Sequence, residues 1–415
     1  MKNMTSPQEN NPIPIIDLFA GPGGLGEGFM SLPYEGKSAF DIRLSIEKDE
    51  DACKTLIWRS FYRQFKKKGR AIPDAYYEAL RESDLTKREQ LIKKTLASCP
   101  EGQVAIKEVQ RVELGSKEWP SEKVDQLIHE RLGPEEKNWV LIGGPPCQAY
   151  SNVGRSRVGG IHSEDHRVFL YKEYLRIIKD HKPAVFVMEN VKGLLSAKIE
   201  EGPVFDLMKR DLRLGGEYEI YSLVGVVNVD SDYLIKSEEY GVPQMRHRVI
   251  LLGIKKSYLH KYKQDENSYL KLQKPYVNLE SVIGSLPKLR SGLNREFIKY
   301  DNDNLYANGK PKRIYKNLKD SYQEWRQIIE KHLSQIKQWG EIPTNILDNE
   351  EFQFNLQTGS EFVAFSKQDD LNKSSMPEEL QDWFFDKNLG GVPNHESRAH
   401  LTQDLLRYLF ASLYV

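Results

Sequence analysis

The segment that most constrains the fold of this chain is a short apolar run that ends in a cluster of glycines. Residues 13–19 read IPIIDLF, and Gly21, Gly23 and Gly26 then satisfy the pattern G-x-G-x-x-G. Such a β-branched run is typical of a buried parallel strand, and such a loop connects a strand to a helix around a nucleotide cofactor. Because the pattern also occurs by chance, it predicts strand, loop and helix without identifying the ligand.

Further segments continue the alternation of strands and helices. Residues 171–181 (YKEYLRIIKDH) have helical apolar spacing, and the other strand candidates are 43–47 (RLSIE), 139–144 (WVLIGG), 184–190 (AVFVMEN) and 246–253 (RHRVILLG). This order indicates an α/β fold with a doubly wound, mostly parallel sheet over residues 13–253. We interpret residues 1–12 as a tail and the polar segment 54–138, with helical patches such as 78–96, as a helical insertion.

Charge is balanced over the whole chain of 415 residues and divided within it. Sixty Lys and Arg face sixty Asp and Glu, but residues 254–340 hold 18 basic against 9 acidic residues and 8 of the 21 tyrosines. Residues 341–415 hold 5 basic against 13 acidic residues. We therefore predict a second lobe over 254–415, basic and tyrosine-rich to residue 340 and acidic after it. A local basic face is sufficient for contacts with phosphates.

Several classes of protein are excluded by composition. No apolar run approaches the roughly 20 residues that cross a bilayer, and the first residues, MKNMTSPQENNP, lack the features of a targeting signal. We expect a globular, cytosolic protein. Cys53, Cys99 and Cys147 form no C-x-x-C pair, which argues against a disulfide framework or a cysteine-based zinc site. His162 and His166 have the spacing of a metal pair, but without a third ligand we expect loop histidines and no metal.

Three short segments at strand ends carry chemically useful side chains. Cys147 follows Gly143-Gly144-Pro145-Pro146 directly after a strand, and this rigid approach favours a functional thiol over an inert buried one. Glu189 ends the next strand, so acid and thiol would meet at the carboxyl edge of the sheet. Arg246 and Arg248 begin the last strand, where alternation directs both to one face. Solvated charges on an edge strand are the alternative for the two arginines.

In this order, these segments resemble the DNA cytosine-5 methyltransferases. The resemblance covers about residues 13–253 and rests on Asp17-Leu18-Phe19-Ala20-Gly21-Pro22-Gly23-Gly24, Pro145-Pro146-Cys147-Gln148, Glu189-Asn190-Val191 and Gln244-x-Arg246-x-Arg248. It implies a Rossmann-like fold of the S-adenosylmethionine-dependent methyltransferase type, with S-adenosyl-L-methionine as cofactor. The implied reaction is methylation of carbon 5 of cytosine in double-stranded DNA, within a restriction-modification system, and the second lobe would contribute to target recognition.

The resemblance also implies a role for each catalytic candidate. The Cys147 thiolate would add to C6 of a flipped cytosine and so make C5 nucleophilic. Glu189 would hold the exocyclic amine and N3 of the base. Arg246 and Arg248 would position the base and Glu189 and favour the thiolate. The glycine-rich segment 150–160 would close over the DNA, with a generic surface loop as the alternative.

For the cofactor, the same resemblance implies contacts around the glycine loop. Glu47, at the end of its strand, would accept hydrogen bonds from the ribose hydroxyls, and a solvated acid is the alternative. An acidic contact to adenine is expected after the third strand, at a position within 54–138 that the sequence does not identify. The expected cofactor contacts are Phe19, Gly21, Gly23, Gly24, Glu47, Pro146 and Leu170.

The carboxyl-terminal part departs from the family pattern. No convincing R-x-L-T-x-R-E-like or G-N-x-V-like segment is present, and Arg398-Ala399-His400-Leu401-Thr402 is at best a degenerate version of the first. We therefore expect a second polypeptide or a missing C-terminal segment to complete the fold. Three other interpretations stay open. They are a transfer-RNA cytosine-5 methyltransferase, a non-catalytic methyltransferase-like subunit of a split enzyme, and a NAD-dependent dehydrogenase, which leaves Pro-Pro-Cys-Gln unexplained.

Overall fold

The computed structural model describes residues 11–34, 37–146, 166–199, 202–262, 265, 268–306, 308–339, 357–365 and 378–413. They divide into two compact units, the first within residues 1–76 and 91–282 and the second within 77–90 and 283–415. In the described ranges no helix is long and apolar enough to cross a membrane. The same ranges contain no group of three or more His, Cys, Asp or Glu side chains placed to hold a metal ion.

The strands occur in both units and range from two to eleven residues. In chain order they are β1 (Ile13–Leu18), β2 (Pro33–Tyr34), β3 (Lys37–Ser38), β4 (Phe40–Glu47), β5 (Val109–Arg111), β6 (Val140–Gly143), β7 (Val185–Val191), β8 (Lys198–Ile199), β9 (Gly202–Pro203), β10 (Tyr218–Tyr221), β11 (Leu234–Lys236), β12 (His247–Lys255), β13 (Gly292–Leu293), β14 (Arg295–Leu305), β15 (Pro311–Asn317), β16 (Gly359–Ala364), β17 (Gly391–Glu396) and β18 (Ala399–His400).

The helices connect these strands. They are α1 (Gly24–Met30), α2 (Glu50–Lys67), α3 (Asp74–Arg81), α4 (Leu85–Ala97), α5 (Pro100–Glu108), α6 (Ser121–Leu132), α7 (His166–His181), α8 (Val204–Leu212), α9 (Glu280–Ile283), α10 (Tyr322–Lys337), α11 (Glu378–Phe384) and α12 (Thr402–Leu413).

A mixed sheet of eight strands forms the centre of the first unit. Its order is β10-β12-β7-β6-β1-β4-β5, with β11 also paired to β12. The five strands from β7 to β5 are parallel, which confirms the doubly wound, mostly parallel sheet expected from the sequence. The last expected strand, β12, is instead antiparallel to β7, β10 and β11. No α-helix joins β10, β11 and β12, and short connections of this kind produce antiparallel neighbours.

The direction of strand addition reverses beside β1. β4 and β5 lie on one side of β1, whereas β6 and β7 lie on the other. A crevice therefore opens outside the carboxyl ends of β1 and β6, where ligands of such sheets bind. The glycine loop follows β1, and Gly144-Pro145-Pro146 follows β6, so the fold brings both predicted motifs to this reversal point.

Both faces of the parallel strands are buried, which explains their continuous apolar runs. On β1, Ile15 packs with Ile42 and Ile142 on one face. The alternating residues Ile16 and Leu18 lie in the large cluster on the other face. Helices cover the sheet on both sides, as a parallel sheet requires.

The segment 54–138 is not the single insertion that we expected. Its first residues continue α2, and β5 is the edge strand of the parallel sheet, paired with β4. β5 is only three residues long and reads VQR, so it lacks the apolar run that revealed the other strands. The prediction of one insertion is therefore wrong, because this segment supplies a strand of the sheet itself.

The helical patch 78–96 forms two helices, α3 and α4. Between them, the Asp84 carboxylate accepts the backbone N–H groups of Thr86 and Lys87, which begins a new helix in the middle of the patch. The division between the units falls within both helices, since residues 77–90 group with the second unit.

The second unit begins later than residue 254. Residues 254–282 belong to the first unit because β12 continues to Lys255 and the following backbone stays hydrogen-bonded there. The N–H of Leu270, for example, donates to the Leu223 carbonyl at 2.8 Å. The rise in basic charge thus precedes the structural boundary. The second unit also includes residues 77–90, where Arg88 contacts Glu361 at 2.8 Å.

Two hairpins and a helix pair build the second unit. β14 pairs with β15 and β16 with β17, both antiparallel. Leu293, Trp325 of α10 and Leu405 of α12 form one apolar cluster, and Ile336 and Leu413 form another. α12 is amphipathic, and its buried residues include Leu405 and Leu413.

Candidate active site

The backbone turns sharply between β1 and α1. Phe19 has a φ of 55°, which is unusual for a bulky residue, and the φ angles of Gly21 and Gly23 are 55° and 96°. A Cβ on Gly23 would lie 2.8 Å from Cδ2 of Leu56 in α2, so a side chain there would require the Leu56 side chain to move. Gly24 is the first residue of α1. The loop therefore presents backbone N–H groups at a helix start, a geometry that suits an anionic or polar ligand.

Glu47 organises this loop from the end of β4. Its carboxylate accepts three backbone N–H groups, those of Gly21 at 2.8 Å, Lys48 at 2.8 Å and Asp49 at 2.9 Å. Hydrogen bonds to an ionised acceptor are stronger than neutral ones. Glu47 is thus more than the solvated acid of the alternative interpretation, since it joins the glycine loop to the start of α2.

Glu113 is a candidate that the sequence did not identify. It lies two residues beyond β5, and the N–H of Val112 donates to the Glu47 carbonyl at 2.9 Å, which places the two acids at the same edge of the sheet. The Glu113 side chain is exposed and its Oε1 lies 3.6 Å from Nζ of Lys48. It therefore occupies the position after the third parallel strand where the resemblance implies an acidic contact to adenine. Only the strand pairing of β5 reveals this position.

Glu189 and Arg248 meet on neighbouring antiparallel strands. Ile250 is paired with Glu189, and Arg248, two residues earlier, shares the same face of the sheet. Nε of Arg248 and Oε1 of Glu189 are in ion-pair contact at 2.6 Å, without the alignment of a hydrogen bond. Nη1 of Arg248 also donates to the His247 carbonyl at 2.8 Å. The carboxylate is therefore held at one oxygen by a cation from β12.

The other oxygen of Glu189 lies beside the segment that leads to Cys147. A Cβ on Gly144 would be 3.0 Å from Oε2 of Glu189, so glycine gives the carboxylate room at this point. Gly143, the last residue of β6, is paired with Met188, the residue before Glu189. Cys147 itself lies outside the described residues, four positions beyond the end of β6. The acid is thus adjacent to the start of the cysteine motif.

The remaining candidates lie at different distances from this centre. Arg246 precedes β12 and is exposed, and its side chain has no hydrogen bond or ion pair with any residue that the structure describes. Pro146 is half-buried after β6, and Leu170 is buried in α7. The segment 150–160 and His162 lie outside the described residues, as does the His166 side chain.

Cys53 provides a contrast to the cysteine motif. Its thiol is buried and contacts the Glu47 carbonyl at 3.4 Å. Burial, with the negative charge of Glu47 as a second cause, raises the pKa of Cys53 to about 11. It stays protonated near neutral pH and is unsuited to nucleophilic chemistry.

A comparison with protein families identifies the chain. The family of C-5 cytosine-specific DNA methylases matches residues 117–379. The chain belongs to this family. Membership implies S-adenosyl-L-methionine as cofactor, and it does not favour the dehydrogenase or transfer-RNA interpretations of the sequence.

Individual relatives agree with this assignment. The chain is 34% identical to the type II methyltransferase M.Bpa9945I of Bacillus paralicheniformis, over 69% of this chain and 64% of that protein. It is 27% identical to M.BspRI of Lysinibacillus sphaericus, over 66% of this chain and 52% of the relative. The chain therefore spans between half and two thirds of the length of these relatives.

A solved Escherichia coli prophage protein described as a DNA modification methyltransferase is a more distant match. It is 19% identical, with a TM-score of 0.41, over 75% of this chain and 63% of the other. The fold assignment rests on the strand order described above and not on this likeness.

Proposed function

We propose that this chain methylates carbon 5 of cytosine in double-stranded DNA, as the methyltransferase of a type II restriction-modification system. One observation carries the proposal. Glu189 lies between Arg248 and Gly144 at the carboxyl edge of the sheet, next to the segment that leads to Cys147. Family membership and the type II methyltransferase relatives support the same activity.

In the proposed reaction, Cys147 supplies the nucleophile. Its thiolate adds to C6 of a cytosine flipped out of the duplex, and the ring then has an electron-rich C5. Once C5 carries the methyl group, loss of the C5 proton to a base breaks the Cys147–C6 bond and leaves 5-methylcytosine. Glu189 holds N3 and the exocyclic amine, so that negative charge does not accumulate on the ring. Arg248 fixes one oxygen of Glu189 and leaves the other for the base. Arg246, exposed beside β12, is free to contact the nucleotide.

Bound S-adenosyl-L-methionine supplies the methyl group. The residues present fit such a cofactor, because the left-handed backbone of Gly23 (φ 96°) favours a position without a side chain and the Glu47 carboxylate stands at the loop with its two oxygens already oriented. We assign the ribose hydroxyls to Glu47 and the adenine to Glu113. Phe19, Gly21 and Gly24 would surround the methionine part, with Pro146 and Leu170 as further contacts.

For DNA contact, we propose the face of the β14–β15 hairpin in the second unit that carries its arginine and tyrosine side chains. Arginine and tyrosine side chains alternate there, and the guanidinium of Arg295 lies 4.2 Å from the ring centroid of Tyr315. Arg313 and Tyr300 are directly paired across the strands. These residues line a concavity of about 590 Å³, in the usual range of ligand-sized clefts. Guanidinium and phenol groups suit phosphates and bases.

Two finer expectations remain predictions. One is a cytosolic location. The other is a second polypeptide or further segment that acts with this chain.

Methyl transfer tests the proposal directly. The protein is incubated with S-adenosyl-L-methionine labelled with tritium in its methyl group, and with either duplex DNA or transfer RNA. We expect label in DNA cytosine, and a loss of about 10² to 10⁴-fold in Glu189→Gln, the range typical of a lost acid–base group. Glu217→Gln, at an exposed carboxylate, is the matched control. Label in RNA alone would favour the RNA methyltransferase, and no label in either would favour a non-catalytic subunit.

A further inference from the structure

Asp17 is a buried acid beneath the glycine loop that the proposed reaction does not use. Its side chain is 1% exposed, and neither carboxyl oxygen has a hydrogen-bond partner among the described residues. Oδ2 lies 3.0 Å from the position that a Cβ on Gly26 would take, so the carboxyl group faces α1. Buried polar groups are normally paired, and an exception at a ligand site requires an explanation.

A compact set of charges lies on the elements around Asp17. Arg63 of α2 contacts Glu27 of α1 and, at 2.5 Å, Glu108 of α5. Arg59 of α2 contacts Glu27 at 2.8 Å. Among the described residues, two arginines of this set thus balance two glutamates, so the set offers no net positive charge to an ionised Asp17.

The remaining titratable groups near Asp17 do not supply that charge. Glu47 on β4 adds a negative field, and Tyr174 on α7 is a neutral phenol whose hydroxyl donates to the Val187 carbonyl. Burial, opposed by Arg63 and reinforced by Glu47 and Glu108, raises the pKa of Asp17 to about 8. The unliganded protein therefore holds this carboxyl group largely in its neutral form at neutral pH.

A cationic ligand at the glycine loop would reverse this balance. Asp17 is two residues before Phe19, and the field of Glu47, whose carboxylate binds the Gly21 N–H, already reaches it. S-adenosyl-L-methionine carries a sulfonium and an ammonium against one carboxylate, so its net charge is positive. A positive charge at the same loop acts on Asp17 with the opposite sign to that of Glu47.

We propose that Asp17 is protonated in the unliganded protein and ionises when the cationic cofactor binds, so that it becomes a buried counter-charge to the cofactor. The O–H bond of Asp17 breaks, its electron pair stays on the carboxylate, and the proton passes to a base of the buffer. This inference rests on the proposed function. It makes Asp17 a positioning and charge-matching residue, and it makes cofactor affinity rise with pH up to about pH 8.

Calorimetry measures how many protons are released when the cofactor binds. S-adenosyl-L-methionine is titrated into the protein at pH 7 and pH 9 in buffers with different enthalpies of ionisation. We expect release of about 0.9 proton per cofactor at pH 7 and almost none at pH 9, from the protonated fraction at a pKa of about 8. S-adenosylhomocysteine lacks the sulfonium charge and should release fewer protons.

Two variants separate Asp17 from other titrating groups. Asp17→Asn should abolish the buffer dependence, whereas Asp51→Asn, at a carboxylate with a side chain 91% exposed, should leave it unchanged. Titration of the ligand's own amine is common to all three proteins and cancels in the comparison. Cofactor binding without proton release in the wild type would overturn the inference and leave the proposed function intact, as would release that persists in Asp17→Asn. No binding of the cofactor would overturn both.

Discussion

Replacement of Glu47 by Gln tests the organisation of the glycine loop most sharply. One oxygen of the Glu47 carboxylate accepts the backbone N–H of Gly21, and the other accepts those of Lys48 and Asp49. A glutamine has one acceptor oxygen, so its amino group must face at least one of these N–H donors. One charge-assisted hydrogen bond is worth about 1.5 to 3 kcal/mol net. If the oxygen stays with Lys48 and Asp49, the bond to the loop is lost, and a loss of about 2 kcal/mol corresponds to roughly 30-fold weaker cofactor binding.

Two measurements check this expectation. Urea unfolding should show a free energy of unfolding lower by about 2 kcal/mol in Glu47→Gln, and calorimetry should show the weaker cofactor binding. Glu50→Gln is the matched control, because that carboxylate is exposed on α2 and pairs only with Lys54 and Arg111 among the described residues. Exposed pairs contribute little, so both properties should stay near wild type. A Glu47→Gln protein with unchanged stability and cofactor affinity would refute the role assigned to this carboxylate.

Three further predictions follow from the same geometry. Because the folded-state pKa of Asp17 is raised from 3.8 to about 8, its contribution to stability is complete below about pH 4 and is lost as the pH rises to about 8. Between these pH values, the free energy of unfolding of the wild type should therefore fall by about 1.4 kcal/mol per pH unit relative to that of Asp17→Asn. Free energies from urea unfolding that change with pH in the same way in both proteins would contradict this. Gly144→Ala should push Oε2 of Glu189 away from its 3.0 Å position and lower the rate of methyl transfer while cofactor affinity, measured by calorimetry, stays unchanged. Arg313→Ala should weaken binding to duplex DNA and lower the slope of log K against log salt concentration by about 1. Arg326→Ala, at an exposed arginine of α10, should change neither quantity. Equal effects in both variants would exclude the hairpin from DNA contact.

The parts of the fold that follow from the sequence are those in which local pattern and burial agree. β1, β6 and β7 are buried on both faces, so their apolar runs identify them directly. β5 is a three-residue edge strand with an ordinary polar composition, and only its hydrogen bonds with β4 define it. Without β5, neither the extent of the insertion nor the position of Glu113 can be predicted.

Domain boundaries were predicted less well because the distribution of charge along the sequence does not determine which segments pack together. Composition changes at residue 254, but the backbone after β12 remains hydrogen-bonded to the first unit as far as Gln273. Residues 77–90 join the second unit through Tyr77 and Arg88, whose partners are more than 270 positions away in sequence. Periodicity cannot reveal pairs of this separation.

The motifs at strand ends predict where the site lies, but they do not predict the environment of each side chain in it. Strand alternation predicts only that Arg246 and Arg248 share a face, whereas the 2.6 Å contact between Arg248 and Glu189 follows from the antiparallel pairing of β12 with β7. Alternation places Asp17 on the same face of β1 as Ile15, but the sequence does not show which charges surround it or that its carboxyl oxygens have no hydrogen-bond partner among the described residues. Its roles, like those of the other site residues, remain predictions.

The covalent step tests the central claim most directly. The protein is incubated with S-adenosyl-L-methionine and duplex DNA that contains 5-fluorocytosine, in which fluorine replaces the C5 proton whose loss would release the enzyme. We predict a protein–DNA adduct that survives denaturing electrophoresis, maps to the peptide containing Cys147, and persists in Cys99→Ser but not in Cys147→Ser. An adduct that forms in Cys147→Ser, or methylation of ordinary DNA by Cys147→Ser at the wild-type rate, would contradict the account.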